Sequence, residues 1–191
     1  MMTVIDAGKS LRTKRLLLRR WRAADRAPFA ALNRDPRVIE FFPGPLSRER
    51  SDAMVDQLEQ HFEQHGFGEW AVEIPGVAPF IGFVGLAVPG FDAHFTPGVE
   101  IGWRLAHEHW GRGYAVEAAS AAFAFGFDHL GLAEIVSFTA VPNLRSQRVM
   151  EKLGMRRDPA DDFDHPALPP DHWLRRHVLY RLDANQWRAR G

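Results

Sequence analysis

The residues whose types and spacing could do chemistry are concentrated in His109, Trp110, Gly111, Arg112, Gly113, Tyr114 and Ala115, between a strand-like run and a stretch of small residues. A helix beginning near Arg112 would point its first-turn amides, and the positive end of its dipole, at an anion. Gly111 and Gly113 let the backbone turn tightly and approach a bound group, Ala115, Ala118 and Ala119 allow close helix packing, and Arg112 adds a charge. Two phosphate-binding motifs fit poorly. A P-loop needs Gly-Lys followed by Ser or Thr, and no Lys occurs between Lys14 and Lys152. A dinucleotide fingerprint needs Gly or Ala three residues after the second glycine; Val116 stands there, although Glu134 lies about where the acid of that motif belongs. Taken alone, the segment could equally be a tight turn without a ligand.

Other chemistries have thinner support. There is no cysteine, which removes disulfides, thiolate catalysis and sulfur-ligated zinc. Of nine histidines, only His61 and His65 show helical metal-ligand spacing with an acid nearby, and solvent-facing histidines are the expectation; no metal is expected. Asp158, Asp161, Asp162, Asp164 and Asp171 make a late segment anionic, either as a solvated loop or as the edge of a pocket attracting a cationic amine. Lys plus Arg and Asp plus Glu balance at 24 each, which argues against nucleic acid as the main ligand. Neither a signal-like start nor a run of roughly 18 apolar residues is present, so no membrane partner is expected and the cytoplasm is the expected location.

The elements that would position these residues follow from periodicity. Residues 13–21 read as a strand and 23–33 as a helix. Ser47 caps a second helix with Met54, Leu58 and Phe62 as its apolar stripe. Residues 70–74 and 80–86, about a Pro75-Gly76 turn, read as a hairpin, and 98–105 as a third strand. A helix from about Arg112 and a strand at 134–140 complete a βαβ-like unit with it. Another helix spans about 144–153, stopped by Gly154, and a last strand spans 174–182. The length fits one domain over 1–191, with a core of about 14–182.

In order, Glu100 to Leu105, Trp110 to Ala118, Asn143 to Ser146 and Glu151 to Met155 resemble the GNAT N-acetyltransferases, especially the group containing the ribosomal-protein N-terminal alanine and serine acetyltransferases. The resemblance covers most of the chain and implies an α/β (α+β) fold with a mixed, mostly antiparallel twisted sheet flanked by helices. It implies acetyl-CoA as co-substrate, its pyrophosphate on the amides of Gly111 to Ala115 and its pantetheine arm along Trp103 to Leu105. It also implies an amine acceptor and, by analogy alone, a homodimer. Trp110 stands where the superfamily often has Gln or Arg, and Met150 where a Tyr often protonates the leaving thiolate.

Within that framework the amide near Leu105 is the candidate oxyanion donor and Glu100 the first candidate base, with Glu69 and Glu73 in reserve; Glu100 could instead face solvent or pair with an arginine. Ser146, three residues after Asn143, is the candidate acid, although it could be an ordinary first-turn helix residue. Asn143 could bind pantetheine or cap the helix. Trp70 and Trp103 could line an acceptor tunnel. The rival to an enzyme is a non-catalytic acetyl-CoA-binding module or sensor of the same fold.

Overall fold

Apolar runs buried on both faces at their centres build one sheet. The structure, a computed structural model, describes residues 3–5 and 10–190. Its strands are β1 (Thr3–Ile5), β2 (Ser10–Arg12), β3 (Leu17–Arg19), β4 (Glu69–Ile74), β5 (Ala78–Ala87), β6 (Glu100–Leu105), β7 (Glu134–Ala140), β8 (Arg156–Arg157), β9 (Phe163–Asp164) and β10 (Arg176–Asp183). They lie in the order β1-β2-β3-β4-β5-β6-β7-β10-β8, with β9 also on β10. Every pairing is antiparallel except that of β6 with β7, which is parallel and is made at Glu100↔Val136. Beyond that pair β6 and β7 keep their outer partners but no longer pair with each other, and the gap between them opens the cleft described below.

The helices are α1 (Arg26–Leu32), α2 (Arg48–His65), α3 (Tyr114–Ala124), α4 (Leu144–Lys152) and α5 (Ala184–Arg188). Ser47 caps α2 as expected, its hydroxyl accepting the Arg50 amide at 3.2 Å. The buried face of α2 is Ser51, Val55, Leu58 and Phe62, so Met54 sits at the edge of the stripe instead of within it. α3 buries Ala118, Ala119, Ala121, Ala122 and Phe123, and these small side chains let it pack on β5 and β6.

Several expectations are corrected. The first strand, expected over 13–21, is reduced to β3, because residues 13–16 form a turn in which the Thr13 amide bonds the Leu16 carbonyl at 2.9 Å, and β2 lies before that turn. The helix expected from Ala23 starts with a 3₁₀ turn, and α1 proper begins at Arg26. The late loop carries β9, whose Phe163 joins Phe95, Val136 and Leu179 in a second apolar cluster, so the loop is docked on the sheet. Trp70 is 0% exposed, with its ring against Phe62 and Phe125 at 5.5 Å each, and lines no tunnel. Glu73 pairs with Arg19 at 2.8 Å and Arg22 at 3.2 Å, and Arg19 also pairs with buried Asp25 at 2.7 Å. Removing one partner would leave a buried charge unmatched, so Glu73 serves structure and is withdrawn as a reserve base.

Candidate functional site

The cleft between β6 and β7 has a volume of about 630 Å³. Its main-chain edge follows from the phase of β6. The Ala106 amide bonds the Ile81 carbonyl of β5 at 2.8 Å. By the alternation of an antiparallel ladder, the Arg104 amide also faces β5, whereas Trp103 and Leu105 turn theirs towards the cleft. Two carbonyls on that edge are engaged: Ser137 Oγ donates to Ile101 O at 2.9 Å, and Trp110 Nε1 donates to Leu105 O at 2.7 Å. The groups left for an extended ligand are the N–H and C=O of Trp103 and the N–H of Leu105. The edge expected over Trp103 to Leu105 is present but narrower, because the Trp110 indole takes the last carbonyl.

At the end of β6 a 3₁₀ turn, His107–His109, leads into Gly111 and Gly113 at φ 74° and 79°. Both lie in the left-handed region, where a side chain costs energy. Gly113 is the N-cap of α3 and supplies no side-chain cap, so the first-turn amides lack the partner that a Ser or Asp would give. Arg15 braces this corner from outside, its Nη1 donating to the Arg112 carbonyl at 3.0 Å and its Nε pairing with Glu117 at 2.6 Å. Burial works against the Glu117 charge, but hydrogen bonds from Thr13 and Arg15 outweigh it and hold its pKa below normal. An acid in the first turn of α3 is thereby neutralised. Gly111, Gly113, Tyr114 and Ala115 line the cleft with Trp103, Leu105 and Trp110, whereas the Arg112 side chain is exposed and off its wall.

Asn143 and Ser146 come together on the opposite wall. Asn143 Oδ1 accepts the Ser146 amide at 3.2 Å, capping α4, while its Nδ2 donates to Thr139 Oγ1 at 2.9 Å and Ser146 Oγ at 3.1 Å. The cap reading of Asn143 is therefore realised. Because Ser146 Oγ accepts from Asn143, its own proton is free to donate into the cleft. Met150, 1% exposed, lies on the same wall.

The carboxylates meet on the face of β6 that carries Glu100, Gly102 and Arg104. In the paired strands Glu69, Gly85 and Gly102 fall in register, and Glu69 Oε1 lies 2.8 Å from where a Cβ on Gly102 would stand. The side chain thus crosses the floor where no Cβ blocks it. Burial pushes the Glu69 pKa up to about 7 against the opposing charge of Arg104. Burial and then the nearby Glu69 push Glu100 up to about 8. Burial brings Arg104 down to about 10, although Glu69 supports its charge. Arg104 donates to Asn33 Oδ1 at 2.6 Å, Asn33 is 0% exposed and donates to Ser51 Oγ at 3.0 Å, and the guanidinium lies 4.0 Å from the Phe42 ring centre. Arg104 was missed in the sequence, and Glu69 was ranked below Glu100. The legible signal was glycine inside strands, at Gly85 and Gly102, which marks a close approach.

The late-loop acids do not reach the cleft. Asp161 pairs with Arg181, Asp162 with Arg157, and Asp164 with Arg175 and Arg176. His165, Ala167, Leu168 and Leu174 of that segment line the cleft instead. His61 is not solvent-facing: its Nδ1 bonds the Phe67 carbonyl at 2.9 Å and its Nε2 accepts the Val88 amide at 3.0 Å. Among the described residues no group of three or more His, Cys, Asp or Glu is placed to hold a metal ion, and no helix is long and apolar enough to cross a membrane.

The sheet thus parts between two parallel strands, with an uncapped helix mouth beyond the C-terminal end of β6 and two carboxyl groups, Glu69 and Glu100, in the lining of the gap. The profile described as an acetyltransferase (GNAT) domain matches residues 15–156, and the chain belongs to that family. It is 30% identical over 180 residues to the uncharacterized N-acetyltransferase YnaD of Bacillus subtilis, covering 92% of this chain and 97% of that one. The crystal structure of an acetyltransferase from Agrobacterium tumefaciens superposes with a TM-score of 0.73 at 27% identity, over 94% of this chain and 97% of the other. The spermidine N-acetyltransferase of Vibrio cholerae, solved with CoA and spermine, shares the fold at a TM-score of 0.70 and 19% identity, over 92% and 99% of the two chains. The protein is accordingly an acetyltransferase of the GNAT type, a family that uses acetyl-CoA.

Proposed function

We propose that the enzyme moves acetyl from acetyl-CoA to a primary amine by direct attack, within one domain spanning 1–191 and in the cytoplasm. The observation that carries this reading is the alignment of three features along one cleft: the uncapped mouth of α3, the free main-chain groups of Trp103 and Leu105, and the Glu69–Glu100 pair. The diphosphate rests on the amides from Gly111 to Ala115, where the dipole of α3 favours it. Arg112 adds only long-range attraction from its exposed position. The pantetheine arm pairs with Trp103 as an added strand, between Trp110 and the wall carrying Asn143. Its thioester carbonyl then reaches the Leu105 N–H, which stabilises the oxyanion as it forms.

The Glu69 charge raises the Glu100 pKa, so between about 7 and 8 the two groups together carry one proton and their titration belongs to the pair. A substrate ammonium gives a proton to the pair, and the free amine attacks the thioester carbon. The C–N bond forms and the C–S bond breaks. The nitrogen gives its second proton to Ser146 as Ser146 passes its own to the departing thiolate, giving the amide and CoA thiol. Glu69 reaches over Gly102 and has the pKa nearer neutrality, which makes it the better base, with Glu100 as the partner that holds the shared proton.

Calorimetric binding of CoA together with thiol release across an amine panel tests this reading. CoA binding with thiol release for at least one amine is the expected result. CoA binding without release for any amine would instead make the chain a sensor.

A further inference from the structure

The acceptor end of the cleft has a composition that chooses among amines. Among the described residues that line it, Glu69 and Glu100 are the only acids, and Arg104 stands beside them. One shared proton on the carboxylates leaves that floor with no net charge once Arg104 is counted. The remaining charged side chains on the wall, Arg145, Arg148 and Lys152, are cationic. Asp161, Asp162 and Asp164 of the late loop are each paired with arginine, as described above. His165 and His177 have pKa values lowered, in both cases first by burial, and face each other at 5.0 Å between ring centres. They contribute polarity without charge.

The rest of this end is made of rings. Phe138 stands 6.1 Å from both His165 and His177, Phe83 and Phe42 flank Arg104, and Phe41, also in the lining, meets the exposed Trp173 at 6.2 Å. The Glu40–Arg145 ion pair ties the Phe41 segment to α4 on the same side. The free main-chain groups of Trp103 and Leu105 on β6 lie on the cofactor path, which leaves an incoming peptide the short edge of β7 around Phe138 and otherwise rings. Amides of a longer peptide that found no partner there would be costly to bury.

Building on the proposed transferase reading, we infer that the acceptor is a small monocationic primary amine carried on an aromatic body, recognised by the Phe41, Phe42 and Phe138 rings with its nitrogen at the Glu69–Glu100 pair. A polyamine would bring further ammonium groups towards Arg104 and Arg148, and the acid beside that wall, Glu40, is already held by Arg145. A single ammonium finds the carboxylates ahead of it and ring faces around it.

The test is titration of 2-phenylethylamine, spermidine and an alanine-initiated tetrapeptide into the CoA-loaded protein, followed by thiol release from acetyl-CoA with each. The expected result is 2-phenylethylamine binding at least about tenfold tighter than either competitor, with Phe41→Ala weakening it by about fivefold while CoA affinity is unchanged. Arylamine binding with turnover supports both this inference and the transferase reading; arylamine binding without turnover supports this inference and sinks catalysis. Equal or tighter binding of spermidine or of the peptide overturns the arylamine assignment while leaving the transferase reading intact. Failure of all three amines to bind, with CoA bound, overturns it as well.

Discussion

The substitution Gly102→Ala separates the catalytic role proposed for Glu69 from any role in folding. A Cβ at this position would stand 2.8 Å from Glu69 Oε1, whereas ordinary contact begins at 3.4 Å, so the carboxylate must retreat by at least 3.4 − 2.8 = 0.6 Å. The displaced atom is the end of a flexible side chain and no backbone atom is contacted, so the fold can accept the change. Gly102 is also absent from the positive-φ glycines, so alanine brings no backbone strain there and slightly restricts the unfolded chain. A misplacement of 1 Å at a reacting group costs up to about 100-fold, so kcat should fall by about 10- to 100-fold, equivalent to about 1.4–2.7 kcal/mol of barrier. The melting midpoint should stay within about 3 °C of wild type, the shift expected for 1 kcal/mol in a domain of this size. Initial rates of thiol release at saturating acetyl-CoA, paired with thermal unfolding, measure both quantities. A variant that keeps its kcat while stably folded would refute the placement of the base over Gly102.

Other expectations follow from the same geometry. Arg104→Met removes the positive charge that lowers the Glu69 pKa, so the acid limb of kcat/KM should move to higher pH from its position near 7, and a limb that stays put or moves down would show that Glu69 is not the titrating base. Gly113→Ala forces a side chain to φ 79° at a cost of about 1–2 kcal/mol, which should raise the KM for acetyl-CoA about tenfold with kcat nearly unchanged, as measured by steady-state kinetics. Ser146→Ala should lower kcat about 10- to 100-fold with CoA affinity within about twofold by calorimetry; an unaltered kcat would remove Ser146 from thiolate protonation. Because Glu69 and Glu100 have raised pKa values, the folded state holds protons that the unfolded chain has lost. Their contribution is intact below pH 4.5 and is lost as pH rises through about 7 and 8. Glu100→Gln should therefore resist urea better than wild type at pH 9, by at least about 1 kcal/mol, with the gap closing at pH 5.

The parts of this molecule that local chemistry dictates were readable from the chain. Ser47 capping α2, the Pro75-Gly76 hairpin, the small-residue face of α3 and the stop at Gly154 are all short-range consequences of residue type, and the structure carries each of them. The βαβ-like spacing already implied the parallel contact between β6 and β7, and the resemblance supplied the mixed, mostly antiparallel sheet around it. What could not be read depends on contacts far apart in sequence. Arg15 and Glu117 brace the glycine corner from 102 residues apart, and Arg104 meets Asn33 from 71. Glu69 and Glu73 stand four residues apart on the same strand, yet Arg19 takes Glu73 and leaves Glu69 within the field of Arg104. The late-loop acids looked like an attracting rim because their arginine partners lie on β8 and β10 or near them.

The central claim is that CoA docks with its diphosphate at the mouth of α3. The most direct measurement is a crystal structure of the protein with CoA bound. The expected result places the diphosphate oxygens within hydrogen-bond distance of main-chain amides between Gly111 and Ala115, with the pantetheine paired to Trp103. CoA bound elsewhere with that corner filled by solvent or protein would contradict the account.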